Sequence, residues 1–389
     1  MRSDHPTLWT ATPWEVAFIA AAAMTEAACG FSEQVAHLLS GAAAPSEPLA
    51  WTTPNRVRLD LATMRLRDFS TGTAGVATLI AAPFALHTAV IADLAPGHSL
   101  VERLLNEGVK RLAVTDWRSA TPTMRDLSID SYLAELNVAV DELGPPVDLI
   151  GLCQGGWLAL VYAARFPAKV RALVLVAAPI DTERGDSALS ALARATPLPV
   201  FQAAVERGGG RMSGETIRAA WPKTTEQACG QARRDLDLGP DDIGPRAEAA
   251  LARYAAWDRC VVDLPGRYYL DIVAWLFQRN LRARGGFPAL GRTIALADVR
   301  HPLALIAGGE DIVAPAEQVL AAAELVGAAP PAILTRLWPS SHVGLFVGAR
   351  SLTEGWPEIA RWLCAQRRRR VVVRGHASIR PLAGPAEVG

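Results

Sequence analysis

The sequence predicts an α/β fold: a mostly parallel sheet flanked by helices, with a helical cap insertion. Three observations lead there. Short apolar runs alternate with amphipathic stretches over residues 48–181. The alternation stops over 182–292, a segment rich in Ala, Arg and Gly that has helical periodicity and no convincing strand. It then resumes over 293–366.

Taken in order, residues 1–47 read as a helical segment and linker. Thr12 offers a capping hydroxyl before the first-turn Pro13, one or two helices run to about Ser40, and Gly41–Glu47 is the linker. Val76–Ala82, Leu112–Thr115, Val147–Leu152 and Ala172–Ala177 are apolar runs suited to strands covered on both faces. Ser99–Asn106, Ile129–Leu143 and Gly155–Arg165 are the helices between them. Beyond the insertion come strand Pro302–Ala307, helix Ala316–Val326, strand Ala332–Trp338 and a closing helix Trp356–Gln366. Residues 367–389 open on four arginines, Arg367 to Arg370, and run into Gly, Pro and Ala, the composition of a disordered basic tail.

Composition removes several function classes. Half of the 389 residues are apolar and a fifth are charged, enough for a substantial core. Lys+Arg and Asp+Glu balance at 39 each, which gives no electrostatic case for nucleic acid. The five cysteines are odd in number, scattered and without a CxxC pair. That pattern argues against a disulfide framework or a metal site and suits a reducing, cytoplasmic compartment. The most apolar stretch, Val16–Cys29, is carried by alanine and interrupted by Glu26, so no transmembrane segment or leader is expected.

The strongest chemical signal is Gly151-Leu-Cys153-Gln-Gly155-Gly156, of the form G-x-C-x-G-G, set between an apolar strand and an amphipathic helix. A nucleophile elbow requires this context. The turn exposes the side chain at a helix N-terminus, where the dipole favours a thiolate, and the backbone N–H of Gln154 becomes a candidate oxyanion donor. In such folds the carboxylate and histidine follow the nucleophile in chain order. Asp311 lies in a glycine turn after a strand, and His342 in a loop after the next. The imidazole would move protons and the carboxylate would fix its tautomer. His301 falls on the wrong side of the acid and His376 lies in the tail. Glu310 competes with Asp311, and the shorter Asp beside a hydrophobic anchor, Ile312, is read as the acid. Together these features predict an α/β-hydrolase fold with the catalytic set Cys153, Asp311 and His342.

Through these residues the chain resembles the polyhydroxyalkanoate synthase family, its short, two-subunit type in particular. The resemblance runs from about Trp51 to Leu363. It includes Asp93–Leu105, Val114-Thr-Asp-Trp117, Met124–Tyr132, the elbow with Tyr162-Ala-Ala, Val176–Asp181, Trp257, the Asp311…Pro315 turn and His342-Val-Gly. Two features depart from the family. Ile312 stands where a His usually follows the acid, and the oxyanion-side loop Phe84–Thr88 carries no asparagine. On the resemblance, Phe84 is the second candidate oxyanion residue.

The resemblance implies polymerisation of (R)-3-hydroxyacyl-CoA, with the coenzyme A thioester as substrate and no further cofactor. It also implies a second synthase subunit or granule-associated protein as partner, residence at the surface of storage granules, and room for a homo-oligomer. Phe346-Val-Gly-Ala-Arg350 is reminiscent of intracellular polyhydroxyalkanoate depolymerases. Ester or thioester hydrolysis by the same triad is therefore the alternative, and a catalytically weak granule scaffold a third.

Overall fold

The computed structural model describes residues 49–219 and 225–375. The helices expected near the N-terminus, and His376, lie outside the described residues.

The central sheet has eight strands: β1 (Arg56–Asp60), β2 (Met64–Asp68), β3 (Thr78–Ala81), β4 (Leu112–Trp117), β5 (Val147–Leu152), β6 (Val170–Val176), β7 (Leu303–Gly308) and β8 (Ile333–Trp338). Their spatial order is β1-β2-β4-β3-β5-β6-β7-β8. Only β1/β2 and β2/β4 pair antiparallel; the other neighbours run parallel. Every residue of β3, β5, β6 and β7 is buried. Helices cover both faces of the central strands, which is why these segments are uninterrupted apolar runs. The β1–β2 hairpin was not foreseen. In β2 buried residues alternate with half-buried Arg65 and Arg67, so its charge hides a strand of period two.

Helices α1 (Leu100–Asn106), α2 (Ile129–Leu143) and α3 (Gln154–Arg165) follow the early strands. Between β6 and β7 the chain leaves the sheet through α4 (Ala188–Ala195), α5 (Leu198–Arg207), α6 (Gly214–Ala219), α7 (Thr225–Asp235), α8 (Pro245–Arg259), α9 (Gly266–Asp271) and α10 (Leu281–Arg284). This insertion also holds two short antiparallel pairs, Arg211–Met212 with Leu264–Pro265 and Phe287–Ala289 with Arg292–Ile294. They correct the expectation of a strand-free insertion. Strands of two or three residues are stabilised by their partner rather than by any local pattern.

After β7 come α11 (Ala316–Leu320) and α12 (Ala322–Leu325), one expected helix broken in two, then α13 (Gly344–Val347) and α14 (Trp356–Gly375). The last corrects the reading of a disordered tail from Arg367, because the helix continues to Gly375. Arg367 has a structural reason to be ordered: its guanidinium reaches the buried Asp148 carboxylate at 3.1 Å and Thr78 Oγ1 at 3.0 Å. Arg171 pairs with the same carboxylate from the start of β6. Burial pushes the Asp148 carboxyl up, against the attraction of Arg171 and Arg367. Among the described residues no helix is long and apolar enough to cross a membrane.

Removing one partner from a buried ion pair leaves an uncompensated charge. Arg171→Ala is therefore expected to destabilise the protein by roughly 3–5 kcal/mol in urea unfolding. Arg367→Ala should cost less, because that side chain is 21% exposed. A loss below about 1 kcal/mol for Arg171→Ala, the scale of a surface pair, would contradict this account.

Candidate active site

The site is built at the ends of the parallel strands, where β5 turns directly into α3. Cys153 sits on that turn with φ 49° and ψ −116°. A non-glycine residue there is strained by about 1–3 kcal/mol. The turn is over-determined. Cys153 N–H donates to Val176 O at 2.8 Å, and Gly156 N–H donates to Cys153 O at 2.9 Å. Gly155 lies so close to the end of β3 that a Cβ would fall 2.0 Å from Ala81 O, and one at Gly156 would fall 2.4 Å from Ala178 Cβ. Two glycines after the cysteine are thus a packing requirement of the helix start.

The thiol is partly exposed at the N-terminus of α3. His342 and Asp311 converge on it from the loops after β8 and β7. His342 Nδ1 lies 2.7 Å from Asp311 Oδ2. The other carboxylate oxygen accepts from Val313 N–H at 2.9 Å and Ala314 N–H at 2.8 Å. An ionised carboxylate can only accept, so Nδ1 carries the proton shared with Asp311 and Nε2 is left for the thiol. Cys153 lies close enough to His342 to act on the charge of its imidazole. Burial works against a charged imidazole, but the Asp311 carboxylate, hydrogen-bonded to it, and the neighbouring Cys153 outweigh it. His342 is held well above its ordinary value.

The structure therefore brings Cys153, Asp311 and His342 together. Glu310 is exposed and outside the set. His301 hydrogen-bonds Pro167 O at 2.8 Å, below the opposite end of the sheet. Ile312 is no anchor: it is 81% exposed, and the acid turn is held by the two N–H donors to Asp311. The Gln154 side chain accepts from Trp157 Nε1 within the first turn of α3, while its backbone N–H is at the helix start, where intrahelical acceptors are lacking. Phe84 follows β3, beside β5, and its buried ring stacks on Tyr132 at 4.9 Å and meets Tyr268 at 5.3 Å.

Tyr268 was not foreseen. It comes from α9 of the insertion, and burial, with the neighbouring Cys153 as a second cause, raises its phenol, so it stays neutral. Its one sequence signal is membership of an aromatic pair, Tyr268-Tyr269, which says nothing of where it packs. Among the described residues no group of three or more His, Cys, Asp or Glu side chains could hold a metal ion.

Sheet order, elbow and insertion define a protein of the α/β-hydrolase fold, and a family model described as alpha/beta hydrolase fold matches residues 87–218. Within that class the chain is similar to polyhydroxyalkanoate polymerase subunits. It is 28% identical to the Poly(3-hydroxyalkanoate) polymerase subunit PhaC of Synechocystis sp. over 287 residues, covering 70% of this chain and 73% of that protein. It is 26% identical to the subunit of the same name from Allochromatium vinosum, covering 70% and 76%. Similar solved structures include a monoacylglycerol lipase of Paleococcus ferrophilus (16% identity, 78% and 99% covered, TM-score 0.48). Another is a thermophilic esterase of Thermogutta terrifontis (15%, 80% and 97%, 0.48).

A raised folded value means that the stability contributed by charged His342 is fully present below its ordinary 6.5 and is lost as pH rises through the folded value. In an NMR titration the His342 midpoint should lie above 6.5, and both Asp311→Asn and Cys153→Ala should lower it. A wild-type midpoint at or below the ordinary value would contradict the ion-pair assignment.

Proposed function

We propose that this chain is an acyltransferase that polymerises (R)-3-hydroxyacyl groups from their coenzyme A thioesters, with Cys153 as nucleophile, His342 as proton carrier and Asp311 as the imidazole's orienting partner. The observation that carries this reading is a thiol at the elbow of a chain similar over 70% of its length to polymerase subunits.

In the first half-reaction the Cys153 thiolate adds to the thioester carbonyl. The carbonyl's bond to the coenzyme A sulfur breaks, and the leaving thiolate takes the proton from His342 Nε2. One thioester replaces another, so the acyl group stays activated at little energetic cost. In the second half-reaction His342 Nε2 accepts the proton of a chain-end hydroxyl. The oxygen attacks the acyl carbon, the ester forms and Cys153 departs as thiolate beside a recharged imidazolium. The backbone N–H groups of Gln154 and Phe84 are the proposed oxyanion donors in both tetrahedral states. The proposed setting is the cytoplasm at a granule surface, with a second, small helical subunit as partner.

Coenzyme A release measured beside ester hydrolysis tests the direction. Release that depends on a hydroxyl acceptor supports polymerisation, whereas release of free hydroxy acid from polymer supports the depolymerase reading. Cys153→Ala should abolish turnover in a folded protein; retention of more than a few per cent would remove Cys153 as nucleophile. His342→Ala should lose roughly 10²–10⁴-fold, the range for general acid–base catalysis. Asp311→Asn should accumulate an acyl adduct on the Cys153 peptide by mass spectrometry, because deprotonating an alcohol needs the stronger base. If Asp311→Asn blocked acylation as fully as Cys153→Ala, this division of labour would be wrong.

A further inference from the structure

Resting on the triad reading above, we infer that Asp235, a carboxylate of the helical insertion, is a positioning residue that holds the His342 loop within reach of Cys153.

Asp235 is the last residue of α7 and is 1% exposed. One of its oxygens accepts from Ser341 Oγ and the other from Tyr254 OH on α8, each at 2.5 Å. Hydroxyl donors to a buried carboxylate make short, strong bonds. Burial and the Asp235 charge raise the Tyr254 phenol, so it remains a donor. Ser341 immediately precedes His342, and its Oγ also accepts from Gly344 N–H at 3.2 Å, closing the turn that presents the imidazole.

The next two residues extend the clamp. Ala349 N–H donates to Leu236 O at 3.3 Å, and Arg350 N–H to Asp237 Oδ2 at 2.9 Å. The backbones approach so closely that a Cβ on Gly348 would fall 2.5 Å from Asp237 Oδ2. Residues 235–237 thus lie along residues 341–350. Asp311 fixes the ring of His342 at one nitrogen, and Asp235 fixes the backbone from which that ring projects. A displacement of about 1 Å in such a group can cost on the order of 10²-fold in rate.

The test follows alkylation of Cys153 by iodoacetamide in the full chain, read by mass spectrometry of the Cys153 peptide, as a function of pH. The ionisable groups facing Cys153 are His342 and Tyr268, and those facing His342 are Asp311 and Cys153. His342→Ala should slow alkylation and change its dependence on pH, because the imidazole is the charge-bearing group that acts on the thiol. Asp235→Ala should change rate and profile in the same direction, with a loss of up to the order of 10²-fold for a displacement of about 1 Å. Ser341→Ala deletes one hydroxyl, so it tests the same contact if Asp235→Ala fails to fold. Asp235→Asn, which can still bond both hydroxyls, should restore most of the wild-type profile. If Asp235→Ala and Ser341→Ala keep the wild-type profile while His342→Ala shifts it, Asp235 does not position the base. If His342→Ala itself leaves the profile unmoved, the triad reading fails, and this inference with it.

Discussion

Helix α3 can begin where it does only because Gly155 and Gly156 let it lie against the ends of β3 and β6, and that approach sets the position of Cys153. The turn forces Cys153 to φ 49°, a conformation with its own cost, which the flanking hydrogen bonds and the buried helix face sustain. The thiol therefore projects from the end of a central strand, at a helix N-terminus. Asp311 and His342, on the loops after β7 and β8, need only reach that point. Were α3 pushed back by a single methyl group, the geometry of all three would change together.

The two ends of the sheet do different work. At the ends where β5, β7 and β8 terminate, loops carry the ionisable groups and one of them is partly open to solvent. At the opposite end, Asp148 and Arg171 enter neighbouring strands and close with Arg367 from the final helix. That cluster lies far along the strands from Cys153 and ties α14 to the sheet. Its charges are costly to bury and costlier to unpair, so they bind the C-terminal helix to one docking position.

The insertion contributes to the site from two directions. Tyr268, Tyr132, Phe84 and Trp117 form one aromatic group beside the elbow, mixing insertion and core residues. On the histidine side the contact is polar, through Asp235, Tyr254 and Ser341. Both contacts join the insertion to loops that carry the candidate chemistry, so its docking and the geometry of the imidazole are coupled through short, buried interactions.

Much of this was written in local pattern. Val147–Leu152 and Ile129–Leu143 are found with the bounds read from their apolar runs and periodicity, since burial on both faces of a strand, or along one stripe of a helix, leaves a direct trace in composition. Cys153 was legible because a tight strand-to-helix turn demands small neighbours, and His342 and Asp311 because chain order limits which later loops can meet that turn. The hairpin of β1 and β2, the short strand pairs of the insertion and the order of Arg367 were not legible, since each depends on a partner distant in the chain. Ile312 looked like an anchor by residue type, yet the folded turn leaves it in solvent and uses two backbone N–H groups instead. Asp235 and Ser341 stand 106 positions apart, and no periodicity relates them. Local sequence determined the buried central strands and the longer helices, and which residues were candidates for the site. The tertiary structure alone decided which carboxylate meets which hydroxyl, because such contacts arise from packing between segments that carry no record of each other.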